Sequence, residues 1–164
     1  MASQRAPIDR HRALSKLQAL CARAERCSAD VRRKLAQWGL PDDEAEWVLQ
    51  QLRADRFVDD ARYASYFVRD KARFNRWGRS KIALALRAKG LDPSLAEAAL
   101  AELDPEQDAL TLAELLASKQ RQVKARSTYE LRAKLIRFGL SRGFPTALVV
   151  AQVDKALAHR PEEP

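Results

Sequence analysis

Apolar residues recur along this chain at intervals of three and four, the spacing of one buried face of an α-helix. Leu14, Leu17 and Cys21 stand at i, i+3 and i+7 and predict a first helix over about 11–24. Ser28 is placed to cap the next helix, with Asp30 in its first turn. Val31, Leu35 and Trp38 then form one stripe that stops at Gly39. Pro41 and Asp42 open a helix carrying Ala45, Val48, Leu49 and Leu52. Asp59 reads as the N-cap of another, with Val58 and Tyr63 at hydrophobic-staple spacing and Tyr63, Phe67 and Phe74 on one face. Ile82 and Leu86 lead to Gly90, and Asp92-Pro93 start a helix with Leu95, Ala99, Leu100 and Leu103. Asp104-Pro105 breaks it, because the residue before a proline avoids the helical region. A helix over about 106–122 carries Ala109, Leu112, Ala113 and Leu116. Ser127-x-x-Glu130 is a capping box before the stripe Leu131, Leu135 and Phe138. Pro145 opens a last helix with Leu148, Val149, Val153 and Leu157, and residues 159–164 are expected to fray. No stretch alternates apolar and polar residues as a half-buried strand does, so the expected class is all-α.

A helix-stop signature repeats within this pattern. Leu35 to Leu40, Leu86 to Leu91 and Leu135 to Leu140 each end on glycine and leucine. Glycine takes a left-handed conformation without a Cβ clash, and the following leucine can fold back on the last turn. The glycines at 39, 90 and 139 are 51 and 49 residues apart, which reads as one supersecondary unit copied in tandem. The expected architecture is three three-helix repeats in an elongated, curved array with a long concave surface. Its partition is 1–25 as an N-terminal helix of repeat 1, 26–76 as the rest of that repeat, 77–123 as repeat 2 and 124–164 as repeat 3. Units of about 50 residues bury too little surface to stand alone, so neighbours should share apolar faces.

Composition narrows the function classes. No apolar run approaches the 18 residues that a membrane span needs, and Met1 to Arg12 lacks the apolar stretch of a secretory signal. Cys21 and Cys27 are the only cysteines, in neither a disulfide nor a metal spacing, as in a cytoplasmic protein with reduced thiols. The net charge of +8 points to a polyanionic partner. It is segregated. Residues 62–89 hold nine basic side chains and one acid, residues 90–118 hold seven acids and no base, and residues 119–142 hold eight bases and one acid.

No nucleotide-binding, metalloprotease or nucleophile-elbow motif is present, so no catalytic residue, metal or cofactor is expected. Asp42, Asp43, Glu44 and Glu46 read as the acidic first turn of a helix, and Asp59-Asp60 as another helix start. The candidate surface lies in the basic blocks. Arg69, Arg73 and Arg76 fall at i, i+4 and i+7, with Lys71, Arg79, Lys81 and Arg87 nearby. Phe74 and Trp77 interleave with them. Packing is the favoured reading for both, Phe74 because it continues the Tyr63–Phe67 face, with Trp77 the candidate for stacking on unpaired bases. Lys119, Arg121, Lys124 and Arg126 straddle an expected turn and form a second basic connector. The acidic block reads as the outer face of two helices.

The run Leu52 to Ala64, with Phe57-Val58-Asp59-Asp60, Arg62, Tyr63 and Ala64, followed by Tyr66-Phe67-Val68-Arg69, resembles the signature of the bacterial RecX recombination regulators. Arg26-Cys27-Ser28 through Leu35 is similar to that family's first unit, Gly78 through Leu91 to its second, and Arg137-Phe138 with Arg142-Gly143-Phe144 to its third. The likeness runs from about residue 22 to 158. Two positions depart from it. Arg79 stands where the family commonly has proline, and the family register ends the third glycine-stopped helix at Gly143, where the repeat count chooses Gly139. The resemblance implies three tandem three-helix units that bind the RecA filament on single-stranded DNA and curb its ATPase, strand exchange and co-protease activity. Some members bind DNA directly. The array needs no symmetric partner, so a monomer is expected. The competing reading is a protein that binds duplex DNA without RecA through a helix-turn-helix-like pair. The helices after Gly39 and Gly90, about 42–52 and 92–103, carry acids and no base, which argues against it.

Overall fold

The computed structural model describes residues 8–158. Residues 1–7 of the expected first repeat and the expected frayed end at 159–164 lie outside the described residues. Within them the chain forms nine α-helices and no strand. These are α1 (Arg10–Arg23), α2 (Ser28–Gln37), α3 (Asp42–Ala54), α4 (Asp60–Arg73), α5 (Arg79–Ala88), α6 (Pro93–Leu100), α7 (Pro105–Gln122), α8 (Thr128–Ser141) and α9 (Thr146–Ala158). The helices divide between two compact units, one of residues up to 64 with 87–96 and one of residues 65–86 with 97 onward.

In the first unit α3 packs on both α1 and α2. Their apolar stripes meet in a core of Ala13, Leu17, Val31, Leu35, Leu40, Val48, Leu49, Leu52 and Val58. The glycine stop after α2 closes as the sequence predicts. Gly39 has φ of 76° and its N–H donates to Ala36 O at 3.0 Å. Leu40 N–H reaches back to Leu35 O at 3.1 Å, and the Leu40 side chain is buried beside Leu35.

Ser28 is not the cap that its residue type suggests. Cys27 holds the N-cap position without a side-chain hydrogen bond, and Ser28 is the first helical residue. The acceptor comes from 32 residues away. Asp60 takes the Ser28 N–H at 2.7 Å through one carboxylate oxygen and the Ser28 hydroxyl through the other. Neighbouring residues close two more helix ends. Asp59 accepts from Arg62 N–H at 3.0 Å at the start of α4. The Arg62 guanidinium donates to Arg56 O at 3.1 Å, just past α3, and pairs with Glu25 at 2.8 Å. Val58 and Tyr63 are both buried, as a hydrophobic staple requires. The Asp-Asp-x-Arg-Tyr run is therefore a clamp on the ends of α2, α3 and α4.

A polar cluster lies beneath α2. Lys89 Nζ sits 3.6 Å from Asp30 and meets the Tyr63 hydroxyl. Burial opposes ionisation of Asp30, but the Cys27 thiol and the Lys89 ammonium outweigh it and hold the carboxyl below its usual range. Burial pushes the Cys27 thiol and the Tyr63 phenol up.

In the second unit α7, α8 and α9 pack on one another around Leu112, Leu116, Leu131, Leu135, Phe144, Val149 and Val153. Here the repeat count misplaces the helix stop. The left-handed residue after α8 is Gly143, with φ of 90°, and Phe144 N–H closes the turn on Gly139 O at 3.3 Å. Gly139 is buried inside the helix, where a Cβ would stand 2.8 Å from Val149 Cγ1. Its small size serves close packing of α8 on α9. The stops are thus Gly39, Gly90 and Gly143, 51 and 53 residues apart. Gly143 also meets the start of α5. Gly78 N–H donates to Arg142 O at 2.8 Å and Ser80 N–H to Gly143 O at 2.9 Å. A Cβ on Gly78 would strike the Gly143 backbone.

Two stability predictions follow from these contacts. Asp60→Ala leaves the Ser28 donors without their acceptor, and Gly78→Ala forces backbone apart. Each should lower stability by about 1–3 kcal/mol, read as a lower urea midpoint. Asp30 is held below the usual carboxylate range, so its charge stabilises the fold above about pH 4. That contribution fades as pH falls through the folded value. Asp30→Asn should flatten the acid limb of the stability profile below about pH 4, followed by circular dichroism.

Candidate nucleic-acid interface

Within the second unit α4 presents Tyr66, Arg69 and Arg73 at i, i+3 and i+7 on one exposed stripe. The guanidinium of Arg69 lies 5.2 Å from the Tyr66 ring centroid and is steadied by a bond from its Nε to Ser65 O at 3.2 Å. That of Arg73 lies 5.4 Å from the Phe74 ring. Tyr66 is 53% exposed and Phe74 71% exposed. The expectation that Phe74 packs with Tyr63 and Phe67 is therefore overturned. α4 ends at Arg73, so the helical spacing no longer applies one residue later.

Trp77 is half-buried, with Lys71 Nζ 5.1 Å and Lys81 Nζ 4.7 Å from its ring centroid. Cation–π attraction holds both ammonium groups there. The exposed rings beside these cations are Tyr66 and Phe74. Tyr66, not singled out by helical counting of the cations, shares the Arg69–Arg73 stripe.

The arginines expected to act together separate into two kinds. Arg76 does not continue the Arg69–Arg73 face. It follows the helix in a left-handed conformation, with φ of 55°, and pairs with Glu114. Arg79 donates to Asp108 at 2.7 Å, and that carboxylate is only 12% exposed. Arg79 is thus a structural tether between α5 and α7. Arg69, Lys71, Arg73, Lys81 and Arg87 have no carboxylate partner among the described residues. A groove between α4 and α7 is lined by Arg69, Arg73, Arg76 and Trp77 on one wall and by Glu102, Asp108 and Glu114 on the other. The acidic block is accordingly more than a solvated outer face. Glu102 accepts from the Ser65 hydroxyl at 2.7 Å, and Asp108 and Glu114 neutralise two arginines.

The second basic block is similarly mixed. Lys119 Nζ lies 5.1 Å from the Phe138 ring, in a groove shared with Lys124, Lys134 and Arg137. Lys134 pairs with Glu130 at 2.8 Å and Arg132 with Asp154 at 2.9 Å. Arg142 donates to the carbonyls of Asn75 and Arg76 in the turn that follows α4. Lys119 and Arg121 belong to the last turn of α7, while Lys124 and Arg126 lie in the connector to α8. Lys119, Arg121, Lys124 and Arg126 have no carboxylate partner among the described residues. Among the described residues no three His, Cys, Asp or Glu side chains gather as a metal site, and no helix is long and apolar enough to cross a membrane.

Among the described residues, helices alone and three repeated glycine stops define a tandem helical-repeat protein. Family models match all three repeats: the first three-helix domain of RecX at residues 13–52, the second at 59–100 and the third at 106–151. They group the helices as α1–α3, α4–α6 and α7–α9, with the glycine-stopped helix in the middle of each. Among relatives, the regulatory protein RecX of Mycobacterium ulcerans is 34% identical over 144 residues, which is 82% of this chain and 83% of that one. The RecX of Mycobacterium avium is 36% identical over 144 residues, 84% of this chain and 82% of its own. The crystal structure of RecX from Lactobacillus salivarius superposes with a TM-score of 0.83 at 20% identity, over 90% of this chain and 96% of that one, and so shares the fold. The chain belongs to the RecX family of regulatory proteins.

The two kinds of arginine should respond differently to replacement. Arg69→Ala and Arg73→Ala should each reduce the log–log salt slope of single-stranded DNA binding by about 0.7, with the melting temperature unchanged. Arg79→Ala should leave Asp108 buried without its partner and lower the melting temperature. Fluorescence anisotropy at several salt concentrations, with a melt of each variant, checks both.

Proposed function

We propose that this chain is a non-catalytic regulator of recombination and the SOS response that binds RecA filaments on single-stranded DNA and inhibits RecA ATPase, strand exchange and co-protease activity. The observation that carries the reading is the match of all three repeats to RecX domains. The stripe of Tyr66, Arg69, Arg73 and Phe74 supports it, because this surface suits a single strand: cations for phosphates and exposed rings for unpaired bases. Lys71 and Lys81 flank it, and Lys119, Arg121, Lys124 and Arg126 supply a second cationic contact to the filament. Arg87 adds another. Trp77, held between two lysines, orients those cations and is less available to a base than Tyr66 or Phe74.

Mechanistically, inhibition needs no bond chemistry in this chain. A protein seated across neighbouring RecA subunits limits subunit addition and the changes coupled to ATP turnover. Differential affinity for one filament state is sufficient for this. The chain acts as a monomer in this account.

RecA ATPase on single-stranded DNA, titrated with this protein, tests the proposal. The expected outcome is a progressive fall in turnover. Unchanged turnover at several-fold molar excess contradicts it. Sequence-selective duplex binding without RecA would favour the autonomous reading instead.

A further inference from the structure

Arg76 is unexpected on stability grounds. After α2, α5 and α8 the left-handed residue is glycine, at positions 39, 90 and 143. After α3 and α4 it is an arginine, Arg56 with φ of 60° and Arg76 with φ of 55°, a conformation that a Cβ disfavours. Surrounding bonds enforce it at Arg76. Trp77 N–H donates to Lys71 O at 3.1 Å, and Arg142 holds the Asn75 and Arg76 carbonyls. Glycine would meet the same backbone geometry without strain, and of the two arginines Arg76 is the one that lines the groove between α4 and α7 and pairs with Glu114.

That ion pair does not account for the arginine. Glu114 is 69% exposed and the Arg76 side chain 38% exposed, and such surface pairs contribute little. The neighbouring pair is the contrast. Arg79 and Asp108 are 33% and 12% exposed, respectively, so that bond belongs to the interior. Two carboxylates six residues apart on α7 therefore hold two arginines in different ways, one fixed and one in water. Arg76 and Glu114 also line the groove that contains Arg69, Arg73 and Trp77.

We infer that the Arg76–Glu114 pair is exchangeable: Glu114 stands in for a ligand phosphate in the free protein and yields Arg76 to a single-strand phosphate on binding. The inference rests on the single-strand reading above and adds to it which cation must be released and what holds it. α7 then supplies an internal competitor that weakens attachment to any isolated anion. A polyanion that engages Arg69 and Arg73 as well offsets the loss of the pair. The strained backbone at Arg76 keeps the guanidinium over the groove, where glycine would leave nothing.

The test is a double-mutant cycle of wild type, Glu114→Gln, Arg76→Gly and the double variant. Binding of a labelled oligothymidylate is followed by anisotropy over a range of salt, with a thermal melt of each protein. Glu114→Gln should tighten binding by up to about fivefold, the size of an exposed ion pair. Arg76→Gly should melt above wild type and lose about 0.7 from the salt slope. In the Arg76→Gly background, Glu114→Gln should have no further effect. An equal gain from Glu114→Gln with and without Arg76 overturns the exchange, since it would be long-range charge alone. An Arg76→Gly protein that melts below wild type, or keeps the full slope, overturns it too. Absence of binding by all four proteins overturns the single-strand reading itself, and the exchange with it.

Discussion

The constraint on which this structure depends is the hydrogen bonding of helix ends. Each α-helix leaves four N–H and four C=O groups without partners inside the helix. With helices of 8 to 18 residues, end groups are a large share of the backbone. The chain answers with left-handed stops and with side chains sent from other helices. Asp60 serves the start of α2, while Arg62 and Arg142 hold carbonyls in the turns that follow α3 and α4. Those bonds span 32, 6 and 67 residues of sequence. The caps thus do two things at once. They terminate helices, and they tie helices that are distant in sequence into each compact unit.

The same economy shapes the charge pattern. A block of nine cations would repel itself, and a block of seven acids follows it in the sequence. α7 turns part of that acid toward the basic block, through Asp108 and Glu114. Arg62 and Lys89 find carboxylates in the first unit. What remains unpaired is a smaller and better defined surface than the composition suggests. The cations along α4 are set over aromatic rings, which orient them without neutralising them. This member of the RecX family thereby sets one interior ion pair and one exposed one beside an open cationic stripe.

Much of this was legible in the sequence, and the misses have physical causes. Helix positions followed from periodicity because apolar stripes of period 3.6 are local. The stop at Gly39 was equally local and forms; of the capping box, Ser127 accepts the Glu130 N–H, while the Glu130 carboxylate takes the N–H of Arg126, one residue before Ser127. Gly139 misled because two jobs use the same residue type: a left-handed stop and close helix packing against Val149. Ser28 misled because the real acceptor, Asp60, becomes its neighbour only after folding. Arg76 was placed on a helix face by counting, but α4 ends three residues earlier. Phe74 failed for the same reason, and Tyr66 was overlooked although it shares a stripe with two arginines already singled out. The partners of Arg76 and Arg79 lie 38 and 29 residues away, beyond any local pattern.

The most direct measurement is hydrogen–deuterium exchange of this protein alone and bound to RecA filaments on single-stranded DNA. The account predicts slowed exchange on binding over residues 66–81, centred on the end of α4 and the start of α5. Slowed exchange confined to the α1–α3 helices, with residues 66–81 unchanged, would contradict it.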